Sequence, residues 1–280
     1  MSPETASFYL KIQMWLEFGA AGGPEGGVLL ILGLAAFAAG LVDAVVGGGG
    51  LVSVPALFSF VPNGSAGALL GTNKISSVSG TVFAAYRYAR GVRLDWNPLV
   101  PALAGALVFS WLGAAAVSLL PRAFAQPLVL VMLVLVAYST LRSREMGAFH
   151  APRHAVGVQR WMGFLAGAVL GFYDGFFGPG TGAFLVFIFV RFFGYDFLHA
   201  SASSKLINLT TNLAALAFFI PAGEFFLVAA LVMAACNVVG ALIGTSLAVL
   251  KGSGFVRRFF LVLLFVLILK MGWGTLEMLI

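Results

Sequence analysis

The chain has 280 residues, 61% hydrophobic and 9% charged, with a formal net charge of +6. A soluble domain carries about 25% charged residues, and one this poor in charge would expose apolar patches large enough to aggregate. The composition therefore excludes a water-soluble enzyme or binding module and fits a protein whose solvent is a bilayer.

Residues 1–27 form an N-terminal extension. It has no basic stretch running directly into an apolar core, so no cleaved signal peptide is expected. Apolar runs of membrane-spanning length then follow at 28–46, 66–86, 98–120, 124–141, 161–177, 198–220, 225–250 and 255–271. Two further runs, 51–61 and 182–193, are too short for a full span. Each begins at a glycine-rich break, the tetraglycine 47–50 and the stretch 178–182. Broken backbone is tolerated at membrane depth only where protein covers it or it lines a wet cavity. The lone Cys236 sits in an apolar run, excludes an internal disulfide and reads as an inert buried thiol.

The chain repeats itself. With an offset of 131 residues and no gap, Gly40 falls on Gly171, Asp43 on Asp174, Gly47 on Gly178 and Gly49 on Gly180. Thr72-Asn73-Lys74 falls on Ser203-Ser204-Lys205, and Gly113 on Gly244. The same 31-residue interval separates Asp43 from Lys74 and Asp174 from Lys205. The expected organisation is a first transmembrane repeat at 28–145, a cytoplasmic linker at 146–158 and a second repeat at 159–280. Internal duplication with paired interrupted segments is a feature of secondary transporters.

Counting each short run as a passage gives five segments per half, an odd number, which inverts the second half relative to the first. Basic residues decide between this and four parallel spans per half. The inverted arrangement puts Arg87, Arg90, Arg93, Arg142, Arg144, Arg153, Arg160, Arg191, Lys251, Arg257 and Arg258 on the linker's side. It leaves Lys11 and Arg122 as basic exceptions outside, with Lys270 near the outer end of the last helix. The parallel arrangement moves Lys251, Arg257 and Arg258 outside. The expected fold is thus an all-α polytopic membrane protein of two inverted repeats, each of about five helical segments, with both termini outside.

Charge inside a span costs roughly 2.5–3.5 kcal/mol on insertion scales and marks function by default. Asp43, Lys74, Asp174 and Lys205 all lie within apolar runs. Around the lysines, Asn73, Ser76 and Ser77, and Ser204, Asn208, Thr211 and Asn212, recur on one helical face. Two buried lysines require negative charge. The aspartates supply it as permanent partners, or a bound oxyanion supplies it, helped by the uncapped starts of the short helices. For isolated serines, close helix packing is the simpler explanation.

Candidate substrate-binding residues are Asn73, Lys74, Ser77, Ser204, Lys205, Asn208, Asn212, Gly49, Gly50, Gly180 and Thr181, with Asp43 and Asp174 in coupling or structural roles. Gly163, Gly167 and Gly171, and Gly240 and Gly244, are spaced for close helix contact. His150, His154 and His199 show no metal-ligand spacing, so no metal or cofactor is expected. The tetraglycine lacks the lysine of a nucleotide-binding loop, which argues against direct drive by ATP.

Asp43 with the tetraglycine and Leu51, then Gly71, Thr72, Asn73 and Lys74, resembles the first signature of the TauE/SafE sulfite exporter family. Asp174 with 175–182, then Ala202, Ser203, Ser204, Lys205 and Asn208, resembles the second. The resemblance covers nearly all the chain beyond residue 28 and implies export of sulfur-containing anions such as sulfite, sulfoacetate or other organosulfonates, coupled to an ion gradient. The site it implies is Asn73, Lys74, Ser204, Lys205 and Asn208, beside the glycine breaks.

The resulting expectation is a non-enzymatic secondary transporter of the bacterial inner membrane working by alternating access. The alternatives are an anion-selective channel or a permease for a different small organic anion. Expected partners are a small anionic substrate, the lipid bilayer, a coupling proton or other ion, and a second copy in a homodimer. No nucleic acid is expected.

Overall fold

The computed structural model describes residues 26–61, 64–119 and 150–279. The expected span 124–141, most of the N-terminal extension and residues 146–149 of the linker lie outside them. The described residues form α1 (Gly26–Val46), α2 (Gly50–Phe60), α3 (Ala66–Gly91), α4 (Trp96–Ala115), α5 (Val156–Phe176), α6 (Thr181–Ile188), α7 (Phe197–Phe219) and α8 (Leu227–Leu279). No strand occurs among them. The protein is an all-α polytopic membrane protein. By length and composition, Gly26–Val46, Trp96–Ala115 and Leu227–Phe259 are each able to cross a membrane. Helices α3, α5 and α7 carry the small and polar residues that face the centre.

Local chemistry sets the helix limits. Ser65 Oγ accepts from Ala68 N at 3.0 Å to open α3, Asp95 caps α4 through Asn97 N, and Asp196 caps α7 through His199 N. α6 passes into a π-helical turn, Phe189–Phe193, closed by Gly194 at φ +81°. Within α8 the runs 225–250 and 255–271 form two helices, separated by the non-helical backbone of Gly252 at φ +71° and ψ −170°.

The usual inside–outside pattern is reversed, as lipid requires. Leu34, Leu107, Val169, Leu231 and Val239 are exposed, while Asp43, Lys74, Asp174 and Lys205 are buried. Trp96 and Trp161 are exposed at helix starts, where an interfacial aromatic belt would sit.

Close contacts fix the helix directions. Pro98, Ala102, Ala106 and Ser110 of α4 lie against Gly163, Gly167, Gly171 and Gly175 of α5, so these helices run parallel. Gly33, Phe37 and Leu41 of α1 meet Cys236, Gly240 and Gly244 of α8, again in parallel. Helix α3 follows α8 too, from Thr72 at Phe226 to Gly91 at Val249. The short turn before Asp95 sends α4 back along α3, bringing Ala114 and Val117 beside Leu70. Helix α5, parallel to α4, therefore runs opposite to α1, and the second set of four helices is inverted relative to the first. Helix α2 turns back from the break, since Leu57 and Val61 rejoin Leu32 and Leu69.

The small-residue spacing creates these seams. At Gly163, Gly167 and Gly175 an added Cβ would strike the backbone carbonyl of Pro98, Ala102 or Ser110. The twofold relation is visible in pairs: Gly113 abuts the carbonyl of Phe172, and its repeat equivalent Gly244 abuts that of Leu41.

Candidate functional site

Both breaks end at the centre of the molecule and pack backbone to backbone. Gly47 has φ +77°, and a Cβ there would lie 2.5 Å from Gly182 Cα. Only glycine meets both demands. Interrupting a helix frees carbonyls that lipid cannot satisfy. Side chains satisfy them instead. Tyr88 OH donates to Ala44 O at 3.0 Å, Ser201 Oγ to Val45 O at 3.0 Å, and Tyr173 OH to Pro179 O at 2.7 Å. Ser204 Oγ donates to Gly182 O at 3.1 Å. The first turns of α2 and α6 carry no side-chain cap; Leu51 N and Thr181 N donate instead to the carbonyls of Gly48 and Gly178, and the helix dipoles leave positive potential at both starts.

The four buried charges pair across the halves. Lys74 Nζ donates to Asp174 Oδ2 at 2.7 Å, and Lys205 Nζ to Asp43 Oδ2 at 2.9 Å. The two contacts are repeat equivalents of each other, as an isologous twofold interface demands. Their surroundings differ. Thr81 and Asn208 also donate to Asp43, at 3.4 and 3.5 Å. The equivalents of those two residues, Asn212 and Ser77, bond to one another at 3.4 Å. Asn212 further donates to Asn208 Oδ1 at 3.1 Å, and Ser53 Oγ donates to Asn73 Oδ1 at 2.6 Å.

A cavity of about 20 Å³ lies between the breaks, room for about one water. Its polar wall includes Asp43, Asn73, Lys74, Ser77, Asp174 and Asn208, and the glycines of both breaks complete it. Of the residues expected at a binding site, Asn73, Lys74, Ser77, Asn208, Asn212, Gly49, Gly50, Gly180 and Thr181 reach this cavity, together with Asp43 and Asp174. Ser204 and Lys205 do not line it. Ser204 is turned onto the Gly182 carbonyl, and Lys205, fully buried, sits behind Asp43. The arrangement sets two charge-balanced Lys–Asp pairs beside the starts of two short helices, whose dipoles point positive potential at the cavity.

Sequence reasoning passed over Ser53, which orients Asn73. Its signal was modest: one hydroxyl a turn beyond the tetraglycine in an otherwise apolar run. It also read the histidines as unrelated, whereas the fold gathers His150, His199 and Asp196, with donor atoms within 4.8 Å of one another. Burial and neighbouring His199 hold His150 below the usual imidazole range. Burial pushes the Asp196 carboxyl up, but hydrogen bonds from His199 and Ser253 outweigh it and leave the group below the ordinary carboxylate range.

Inverted helical halves, paired breaks and a polar centre define the membrane-transporter class. The chain belongs to the sulfite exporter TauE/SafE family, whose model matches residues 32–271. It is 30% identical over 251 residues to a "Probable membrane transporter protein" of Haemophilus influenzae, covering 88% of this chain and 96% of that one. It is also 30% identical over 230 residues to the "Probable membrane transporter protein YfcA" of Escherichia coli K12, covering 82% and 84%. With the "Probable membrane transporter protein ORF9" of a Sinorhizobium species it shares 29% identity over 231 residues, 82% and 87% of the two chains. No solved structure matches the chain.

Proposed function

We propose that this protein is a secondary transporter of the bacterial inner membrane that exports small sulfur-containing oxyanions, such as sulfite or an organosulfonate, by alternating access between its inverted halves. The observation that carries this reading is the crossed pair of buried Lys–Asp bridges facing a glycine-walled cavity where the halves meet. Lys74, Asn73, Ser77, Asn208 and Asn212, with the N–H groups opening α2 and α6, form the anion's binding shell. Lys205 acts through Asp43 rather than by direct contact. A cavity that holds about one water admits an oxyanion only when the halves part, and that is the movement alternating access supplies.

Charge balance shapes the cycle. Two lysines and two aspartates sum to zero, so a monoanion entering the cluster brings it to a net negative charge in a poorly solvated place. A proton on Asp174 restores neutrality and frees Lys74, the lysine that lines the cavity, for the anion.

Proteoliposomes loaded with sulfite test the proposal. Saturable efflux, counterflow driven by unlabelled sulfite, and loss of both in Asn73→Ala are expected. Single-channel currents without counterflow would replace the carrier with a channel. Saturable flux of carboxylates with none of sulfite or sulfonates would reject the sulfur specificity.

A further inference from the structure

The segment joining the halves is tied to the loop between α6 and α7, where Ala151 N donates to Gly194 O at 2.8 Å and Arg153 N to Phe193 O at 3.2 Å. That docking lays the His150 ring over His199, with centroids 4.1 Å apart and planes inclined by 26°. His199 stands in the first turn of α7, and its Nδ1 lies 2.6 Å from Oδ2 of the capping Asp196. The other carboxylate oxygen is held by His199 N at 2.8 Å and by Ser253 Oγ at 3.0 Å, beside the Gly252 break of α8. Two imidazoles and a fixed carboxylate thus converge where the linker docks on the start of α7, at the end of the molecule that carries Arg87, Arg153 and Lys251.

We propose that His150, Asp196 and His199 form a binding site for a late first-row divalent cation of the zinc type. Imidazole nitrogen with a single carboxylate oxygen suits zinc, nickel or copper, whereas magnesium and calcium want sets of oxygen donors. Tetrahedral zinc binds nitrogen and oxygen at about 2.0–2.2 Å, which sets donors about 3.3 Å apart. The three donor atoms already lie within 4.8 Å of one another. His150 is exposed, with its ring already against His199, and the His199–Asp196 contact needs to widen by less than an ångström, roughly, to admit the metal in place of the shared proton. Asp196 Oδ1 keeps its bonds to the α7 start and to Ser253, so the outer partners that orient a metal-bound carboxylate are in place. Water completes the coordination.

The bound ion clips the linker to the α7 start. Through Ser253 it reaches α8, and through the Tyr195 OH bond to Asp95 Oδ2, at 3.1 Å, it reaches the loop before α4. The site therefore restrains elements from both halves at one end of the molecule.

Calorimetric titration of the full chain in detergent, purified without a histidine tag, tests the site with zinc chloride, using magnesium chloride as the comparison. One zinc per chain is expected, no magnesium, and zinc-edge X-ray absorption reporting two imidazoles. His150→Ala, which leaves the α7 cap intact, should weaken zinc at least tenfold. His154→Ala, whose ring faces the Phe192 carbonyl at 3.0 Å, should bind zinc as the unaltered chain does. Absence of saturable one-to-one zinc binding, or undiminished binding by His150→Ala, would overturn the assignment.

Discussion

Replacing Lys74 with methionine tests whether the crossed bridges hold the halves together as well as serving an anion. Lys74 Nζ lies 2.7 Å from Asp174 Oδ2, with the side chains 3% and 4% exposed. At an effective dielectric of 20 this separation is worth about 6 kcal/mol of attraction. Desolvation of the two ions cancels most of that, which is why a buried pair is often no better than a well-packed apolar one. Removing one member is different, because Asp174 stays desolvated and loses its partner, a deficit of about 3–5 kcal/mol. Removing both, in Lys74→Met with Asp174→Leu, takes the uncompensated charge away and should recover most of the loss. Thermal unfolding in detergent is the assay. The single variant should melt lower by on the order of 10 °C, and the double variant within a few degrees of the unaltered chain. Neither should transport sulfite. A single variant as stable as the unaltered chain would refute the reasoning, because it would mean that Asp174 does not depend on Lys74. Transport by the folded double variant would refute the role of Lys74 in the site.

Gly47→Ala should destabilise by several kcal/mol and abolish transport, because it combines the roughly 1–3 kcal/mol cost of a left-handed alanine with a Cβ 2.5 Å from Gly182 Cα. Gly26→Ala, which meets nothing within 4 Å, should leave both melting and flux unchanged. Cysteines at positions 93 and 258, both exposed in the native chain and introduced with Cys236→Ser, should react with an impermeant maleimide from the cytoplasmic side alone. Labelling from opposite sides would contradict inverted halves.

Much of the centre was legible because it is chemically improbable. In a chain with 9% charged residues, two aspartates and two lysines at matching intervals inside apolar runs stand out, as do paired glycine breaks. Which lysine meets which aspartate was not legible, because the 31-residue interval is the same in both halves and suits pairing within a half equally well. The crossed pattern, Lys74 to Asp174 and Lys205 to Asp43, arises from the inverted interface. Helix limits followed composition where the caps are strong, at Ser65, Asp95 and Asp196. Residues 251–254 read as a gap between two spans, because Lys251 and two glycines interrupt the apolar run. The structure agrees: Gly252, at φ +71° and ψ −170°, separates two helices there. The His150, Asp196 and His199 cluster had no sequence signal, since its members reside in a linker, a loop and a helix start that only tertiary docking unites.

The repeat specifies a twofold frame, but the places where it is imperfect decide which lysine reaches the cavity. Ser53 in the first half bonds Asn73, whereas its equivalent is Phe184, which has no polar group for Ser204. Ser204 therefore turns to the Gly182 carbonyl and leaves the cavity wall. Thr81 and Asn208 both reach Asp43, drawing that carboxylate across the front of Lys205. Their equivalents Asn212 and Ser77 engage each other instead and leave Asp174 to Lys74. Four differences in side-chain identity between otherwise matching positions thus convert a symmetric cage into one with a single presented lysine. Shape alone would make the two lysines interchangeable; the hydrogen-bonding partners leave Lys74 on the cavity wall and Lys205 bonded to Asp43 away from it.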